Sequence, residues 1–231
     1  MERRSTSTVL SIASSAWERL LDVLYPPRCG GCDRRGTLLC DDCYSQIEPP
    51  YLDAQVEGID AFASAGLFKG PLREAVHKLK YQSDTPLARP LARLLSEALS
   101  RDDPWSVLDG NPPMLMHVPL HSRKEQARGY NQSALLTREL SRITGWRLQA
   151  GLVRIKETQP QVGLSAEERQ RNVAEAFAWE GDEIDAPILL VDDVCTTGAT
   201  LSQCAATLKS AGAGQVYAVT VAKAVGGDDM M

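Results

Sequence analysis

One stretch constrains this chain more than any other: Ile188-Leu189-Leu190-Val191-Asp192-Asp193-Val194-Cys195-Thr196-Thr197-Gly198-Ala199-Thr200-Leu201. Its first four residues are branched and apolar and offer no polar face. That is the pattern of a strand buried on both sides, as in the centre of a parallel sheet. Two carboxylates follow at the strand's C-terminal edge, where open α/β sheets bind ligands. A hydroxyl-rich turn with one glycine comes next. Leu201, Cys204, Ala205 and Leu208 then recur at helical spacing, Gly212 and Gly214 stop the helix, and 215–222 reads as a second buried strand. The unit is βαβ.

The turn from Thr196 to Thr200 sets backbone N–H groups and three hydroxyls at a helix N-terminus, a ready site for an anion. No lysine follows Gly198, so the Walker arrangement is absent. A phosphate cradle preceded directly by two acids suits a ligand with a phosphate at one end and a vicinal diol at the other, because carboxylates accept hydrogen bonds from hydroxyls. Ribose 5-phosphate has that shape. The segment resembles the signature of type I phosphoribosyltransferases, in which the acid pair holds the ribose hydroxyls and the loop holds the 5′-phosphate of phosphoribosyl pyrophosphate (PRPP).

With 231 residues, 43% of them hydrophobic, the chain has room for one domain of ordinary size plus a small appendage. Its net charge of −5 lacks the basic excess of a protein that binds nucleic acid mainly by electrostatics. No apolar run is long enough to span a bilayer, and the serines, Glu18 and Arg19 break the N-terminal segment unlike a signal peptide. Cytoplasmic residence is expected.

Along the chain, Val9, Ile12, Ala13, Ala16, Trp17, Leu20, Leu21 and Leu24 share one helical face, so 1–25 is expected to be an amphipathic helix ended by Pro26 and Pro27. It packs on its own domain or docks on a partner or on the inner face of the membrane. Segment 26–48 holds two knuckles, Cys29-Gly30-Gly31-Cys32 and Cys40-Asp41-Asp42-Cys43. Four thiolates in two such pairs surround one tetrahedral Zn²⁺, with no position open for catalysis. Disulfides compete for the same cysteines, but they do not persist in a reducing compartment. Cys204 reads as a helix-core thiol, and Cys195 lies inside the phosphate loop, where a redox role would have no second cysteine beside it.

Segment 47–60, with Pro49 and Pro50, reads as a linker to a main domain at 60–225. A strand over 61–68, a helical stripe of Leu72, Ala75, Val76 and Leu79, and a second amphipathic helix opened by Thr85-Pro86 follow. Lys78 and Lys80 suit the first helix's C-terminus, with a ligand-phosphate contact by Lys80 as the alternative. A short buried strand over 114–118 leads into a basic loop, 119–129, holding His121, Arg123, Lys124 and Arg128, and then a helix capped by Asn131 or Ser133. That loop meets the Asp192 turn if the two strands are neighbours. Between strand-like 148–155 and 176–179 lies a long polar excursion, 154–172, expected to be a mobile lid over the ligand.

With these pieces in order the chain resembles the ComF family, competence-associated proteins that join a tetracysteine segment to a phosphoribosyltransferase-like domain. The matching residues are Cys29, Cys32, Cys40 and Cys43, then Val118-Pro119-Leu120, Arg128-Gly129-Tyr130-Asn131-Gln132, Gln159 through Arg169 to Asn172-Val173, and 188–201. Tyr130 stands where the family often has Phe. The resemblance implies a type I phosphoribosyltransferase-like parallel sheet with helices on both faces. It implies that Asp192 and Asp193 are catalytic, holding the ribose diol and helping to place Mg²⁺. Thr196, Thr197, Gly198, Ala199 and Thr200 would hold the 5′-phosphate, and Leu120, His121, Ser122 and Arg128 the pyrophosphate. It further implies a role in DNA uptake during natural transformation, with a helicase-like competence protein as partner. Three functions stay open: a Mg²⁺-dependent phosphoribosyltransferase, a PRPP sensor without turnover, and an assembly factor of the DNA-import machinery. Contact with nucleic acid is left open by a sequence with only 6% aromatic residues, none interleaved with a basic stripe.

Overall fold

The computed structural model describes residues 26–50, 55–101, 111–156 and 176–224. The N-terminal helix expected over 1–25 lies outside them, as does most of the expected lid. In chain order the elements are α1 (Asp41–Ser45), β1 (Ala61–Leu67), α2 (Gly70–Tyr81), α3 (Ala88–Arg101), β2 (Met114–His117), α4 (Ser122–Arg128), α5 (Gln132–Thr144), β3 (Leu152–Arg154), β4 (Phe177–Trp179), β5 (Ile188–Cys195), α6 (Ala199–Ser210) and β6 (Val216–Lys223).

Four strands form one parallel sheet in the order β1-β6-β5-β2. The two strands with the longest apolar runs take the middle. Ile188, Leu189, Leu190 and Val191 are each fully buried, as are Val216, Ala218, Val219 and Val221. Because successive strand residues point to opposite faces, Leu189 and Val191 join one core while Ile188 and Leu190 join another. The first core is built with α2, α3 and α5, through Leu72, Val76, Leu91, Leu95, Leu136 and Leu140. The second is built with α6, through Leu201, Cys204 and Leu208, and with the antiparallel pair β3/β4. Helices therefore cover both faces, as the sequence predicts.

Three local differences from the expected elements have physical causes. The segment read as a basic loop contains α4, and none of its residues is buried. A helix with no apolar stripe is invisible to hydrophobic periodicity, and its ends are marked instead by the His121 ring accepting from Arg123 N–H at 3.3 Å and by Gly129 at φ 84°. Strand β5 runs on past its apolar residues through Asp192 and Asp193 to Cys195, because β6 continues to pair with it. Between the cysteine segment and the sheet, 47–50 is packed down: Leu67 N–H donates to Glu48 O at 2.8 Å, and an added Cβ at Gly66 would lie 2.5 Å from Ile47 Cγ2. Thr85–Leu87 forms a 3₁₀ turn that runs into α3. Among the described residues no helix is long and apolar enough to cross a membrane.

Candidate ligand site and metal centre

Strands β2 and β5 are neighbours, paired from Met114 opposite Ile188 to His117 opposite Val191. The condition for bringing the two loops together is met. Val118 N–H extends the pairing to Val191 O at 3.1 Å, and Asn131 Nδ2 donates to Val118 O at 3.1 Å, tying the loop's exit to the start of α5. Asn131 is the cap, since its Oδ1 accepts from Ser133 N–H at 2.9 Å. That leaves the Ser133 hydroxyl free to turn inward. It donates to Asp192 Oδ1 at 2.6 Å.

The two acids diverge, as alternation along a strand requires. Asp192 is half-buried, and its Oδ1 also accepts the Asp193 N–H at 2.9 Å. Asp193 is only 3% exposed. Its Oδ1 lies 2.9 Å from Lys80 Nζ in the last turn of α2, while its Oδ2 is buried and accepts no hydrogen bond among the described residues. A buried carboxylate oxygen without a partner is costly, and in a native site it calls for an explanation. Burial and then the neighbouring Asp193 charge push the Asp192 carboxyl up to about 7, against the Ser133 hydroxyl and the Lys80 charge, which pull it down. Burial opposes the charge on Lys80, but the Asp193 carboxylate outweighs it and holds the ammonium above its ordinary range.

The turn after β5 leaves Thr196 and Thr197 exposed. Gly198, at φ 85°, precedes the first residue of α6, and an added Cβ there would meet Val56 at 3.0 Å. Positive φ and close approach both demand glycine. The Lys223 ammonium closes the turn's other side, donating to Thr196 O at 2.5 Å and standing 3.3 Å from Cys195 Sγ. Burial pushes the Cys195 thiol up, and Cys204, in the core under α6, is pushed well up by its burial. Both shifts disfavour the thiolate form that a reactive cysteine needs.

Of the residues expected at a pyrophosphate, Leu120 and His121 leave β2 toward this edge, His121 being engaged as the cap of α4, and Ser122 opens α4. Arg128 is tied to Gln132 by a hydrogen bond and lies 5.2 Å from the centroid of the Tyr81 ring. Tyr130, the position where Phe was expected, uses its hydroxyl to donate to Leu79 O at the end of α2. Lys80, Ser133 and Lys223 touch the candidate residues: Lys80, expected as a helix-end cation or a ligand-phosphate contact, pairs with Asp193, Ser133, expected as a cap, bonds Asp192, and Lys223, not singled out by sequence, holds Thr196 and Cys195. Lys80 had a signal, a cation at a helix end, but nothing local distinguishes a helix-end cation from one aimed at a strand of the sheet.

The four knuckle cysteines gather at the opposite side of α2. Their Sγ atoms all lie within 4.8 Å of one another, with Cys29 to Cys40 and Cys32 to Cys40 each 3.7 Å. Tetrahedral zinc with S–Zn bonds of ~2.3 Å sets S···S edges of about 3.8 Å, which the Cys29–Cys40 and Cys32–Cys40 pairs match, the other pairs lying within 4.8 Å. Burial pushes the Cys29 thiol up, yet the N–H groups of Cys40, Cys32 and Gly31 outweigh it and bring it down to about 6. Such donors favour a thiolate, which is the form a metal takes. Gly31 is pressed against Cys43 and Pro71, and Gly30 against Leu87 and Ala75, so the cluster sits directly on α2. Lys78 fastens it, donating to Asp33 at 2.7 Å and to Cys29 O at 3.3 Å.

A parallel sheet with helices on both faces, and an acid pair and glycine turn at its carboxyl edge, is a doubly wound α/β fold of the kind that takes ligands at that edge, here with a cluster of four cysteines that could hold a metal ion docked on α2. Comparison with curated proteins places it more narrowly. The chain is 32% identical over 208 residues to competence protein F of Haemophilus influenzae, covering 86% of this chain and 85% of that one. It is 34% identical over 194 residues to the DNA utilization protein YhgH of Salmonella typhimurium, covering 82% and 80%. Competence protein ComFC of Streptococcus pneumoniae is 25% identical over 197 residues, covering 81% and 84%. The chain belongs to the ComF family. No family model matches it. Among solved structures, UMP synthase of Leishmania donovani is similar over 66% of this chain at 15% identity with a TM-score of 0.35, and this chain spans 24% of its length.

Proposed function

We propose that the chain binds PRPP with Mg²⁺ at the carboxyl edge of the sheet and transfers its phosphoribosyl group, releasing pyrophosphate, in the service of DNA uptake. The observation that carries this reading is the juxtaposition, at the carboxyl edge of the sheet, of the acid pair Asp192 and Asp193 with the glycine turn that starts α6, Asp193 Oδ2 accepting no hydrogen bond among the described residues. The ribose hydroxyls would donate to the two carboxylates, and the N–H groups and hydroxyls of Thr196 to Thr200 would receive the 5′-phosphate. The loop holding Leu120, His121 and Ser122 would face the pyrophosphate, with Arg128 at its rim. In the transfer a nucleophile's lone pair forms the new bond at C1 of the ribose while the C1–O bond to pyrophosphate breaks, the electron pair leaving with pyrophosphate. Mg²⁺ would neutralise charge on that leaving group. The protein's own share is positioning and electrostatic stabilisation.

The tetracysteine cluster would hold one structural Zn²⁺, as its thiol spacing supports. The relatives are named for competence and DNA utilization, which supports a place in the handling of incoming DNA. Calorimetric titration of PRPP with Mg²⁺ into the intact protein and into the Asp192→Asn/Asp193→Asn double variant tests the reading. Saturable binding that the double variant loses is expected. No binding to the folded, zinc-loaded protein overturns it and moves an assembly role in DNA import to first place.

A further inference from the structure

We propose that Tyr81, held at the end of α2 by His77 and Arg128, is the seat of the phosphoribosyl acceptor: a planar heterocycle stacks on the tyrosine ring, and its ring carbonyl accepts a hydrogen bond from the Arg128 guanidinium. That the heterocycle is an acceptor rests on the PRPP reading; the seat itself rests on the geometry of the ligand-free protein.

Three observations carry it. First, Tyr81 is 66% exposed, the most open of the large hydrophobic side chains among the described residues. Most of its stacking surface faces water. Second, the ring is held although it is open. The His77 ring, one turn earlier on α2, lies 4.8 Å away between centroids at 50°, and the Arg128 guanidinium stands 5.2 Å from the Tyr81 centroid. At these distances aromatic pairs and cation–π contacts attract. Arg128 is tied in turn to Gln132, which is only 3% exposed, and the Tyr130 hydroxyl donates to Leu79 O two residues before Tyr81. A seat fixed before its ligand arrives costs less to occupy. Third, the seat borders the acid pair from two sides. Lys80, the residue before Tyr81, pairs with Asp193 at 2.9 Å, and Gln132, which holds Arg128, precedes Ser133, whose hydroxyl donates to Asp192 at 2.6 Å.

The chemistry of the seat names what fits it. Tyr81 ends α2, Arg128 ends α4 and Gln132 opens α5, so an aromatic face and a cation meet where three helix ends converge. Every nucleobase offers a π-face to such a ring. A guanidinium carries five N–H donors and no acceptor, and Gln132 Oε1 takes one of them. The edge of the base beside Arg128 must therefore accept, as a carbonyl oxygen does and an exocyclic amine does not. Hypoxanthine and uracil carry that carbonyl. Adenine has the ring system of hypoxanthine with an amine in its place.

The test uses intact wild type, Tyr81→Leu and Tyr81→Phe with isotope-labelled tyrosine rings, the Tyr81 signal being the one that Tyr81→Phe loses. Hypoxanthine, uracil and adenine are titrated with and without PRPP and Mg²⁺, followed by NMR and calorimetry. Hypoxanthine or uracil should shift the Tyr81 ring signal saturably and bind more tightly than adenine. Tyr81→Leu should weaken that binding about tenfold, as the loss of one base–aromatic stack does, and Tyr81→Phe should retain it. If Tyr81→Leu fails to fold, the wild-type ring shift and the Phe variant still decide. A Tyr81 signal that no free base moves, including one moved only by oligothymidylate, overturns the inference, as does a folded Leu variant that binds as tightly as wild type. Adenine bound as tightly as hypoxanthine overturns the role of Arg128. A wild type that seats a base at Tyr81 but binds no PRPP overturns the PRPP reading instead and leaves the seat standing.

Discussion

Asp192 is the residue at which site chemistry and folding stability conflict. Its carboxyl is raised to about 7 in the folded protein by burial and by the Asp193 charge, whereas an unfolded aspartate titrates near ~3.9. Between those values the folded state keeps a proton that the unfolded state releases, so stability falls as pH rises through the window, and the whole cost is present above about 7. Asp192→Asn removes the charge while keeping an acceptor for Ser133. We expect its melting temperature to exceed that of the wild type by a few degrees at pH 8 and by less at pH 5, read by differential scanning calorimetry. An equal effect at both values would mean that Asp192 is uncharged at pH 8. Residues of this kind are legible in sequence because their neighbours in the chain are also their neighbours in space: Asp192, Asp193 and Gly198 share one strand and one turn. Ser133 lies 59 residues from the acid it bonds. Its hydroxyl was legible only as a helix cap, and Asn131 took that role.

At the scale of elements, burial decides what could be foreseen. The run Ile188 to Val191 announces a central strand, and the structure places it between β6 and β2 with all four side chains fully buried. The stripe of Leu72, Ala75, Val76 and Leu79 likewise announces α2, and each of the four is at most 1% exposed. Helix α4 has no such stripe, and its sequence reads as loop, since exposed Arg, Lys, Glu and Gln leave no periodic trace. Strand β5 also gives the clearest energetic forecast. Leu190→Ala leaves a cavity in the core shared with α6 and β3/β4, and should cost about 2–5 kcal/mol, seen in urea melts as a lower midpoint with unchanged slope. A loss below about 1 kcal/mol would show that α6 collapses onto the sheet, and so that the glycine turn at its N-terminus is softer than its packing implies.

For the whole molecule, the cysteine segment was legible as a metal knuckle but not as a neighbour of the sheet. Sequence separated them by a proline-containing linker, whereas the structure seats Gly30 and Gly31 on α2 and ties them with Lys78. Purified without chelator, the protein should carry about one zinc per chain. Stripping it should lower the melting temperature and also weaken PRPP binding several-fold, measured on the same sample before and after metal is restored. PRPP affinity indifferent to the metal would confine the knuckle to local stability.

Helix α2 presents Lys78 to the cluster and Lys80 to the acid pair. Two residues apart on a helix is a rotation of about 200°, so the two ammonium groups leave from nearly opposite sides of the same cylinder. The helix thus works as an axle gripped at both sides. A twist that relieves one grip is transmitted, with opposite sense, to the other, and the cysteine cluster and the acid pair, which share no atoms, come to share a single mechanical degree of freedom.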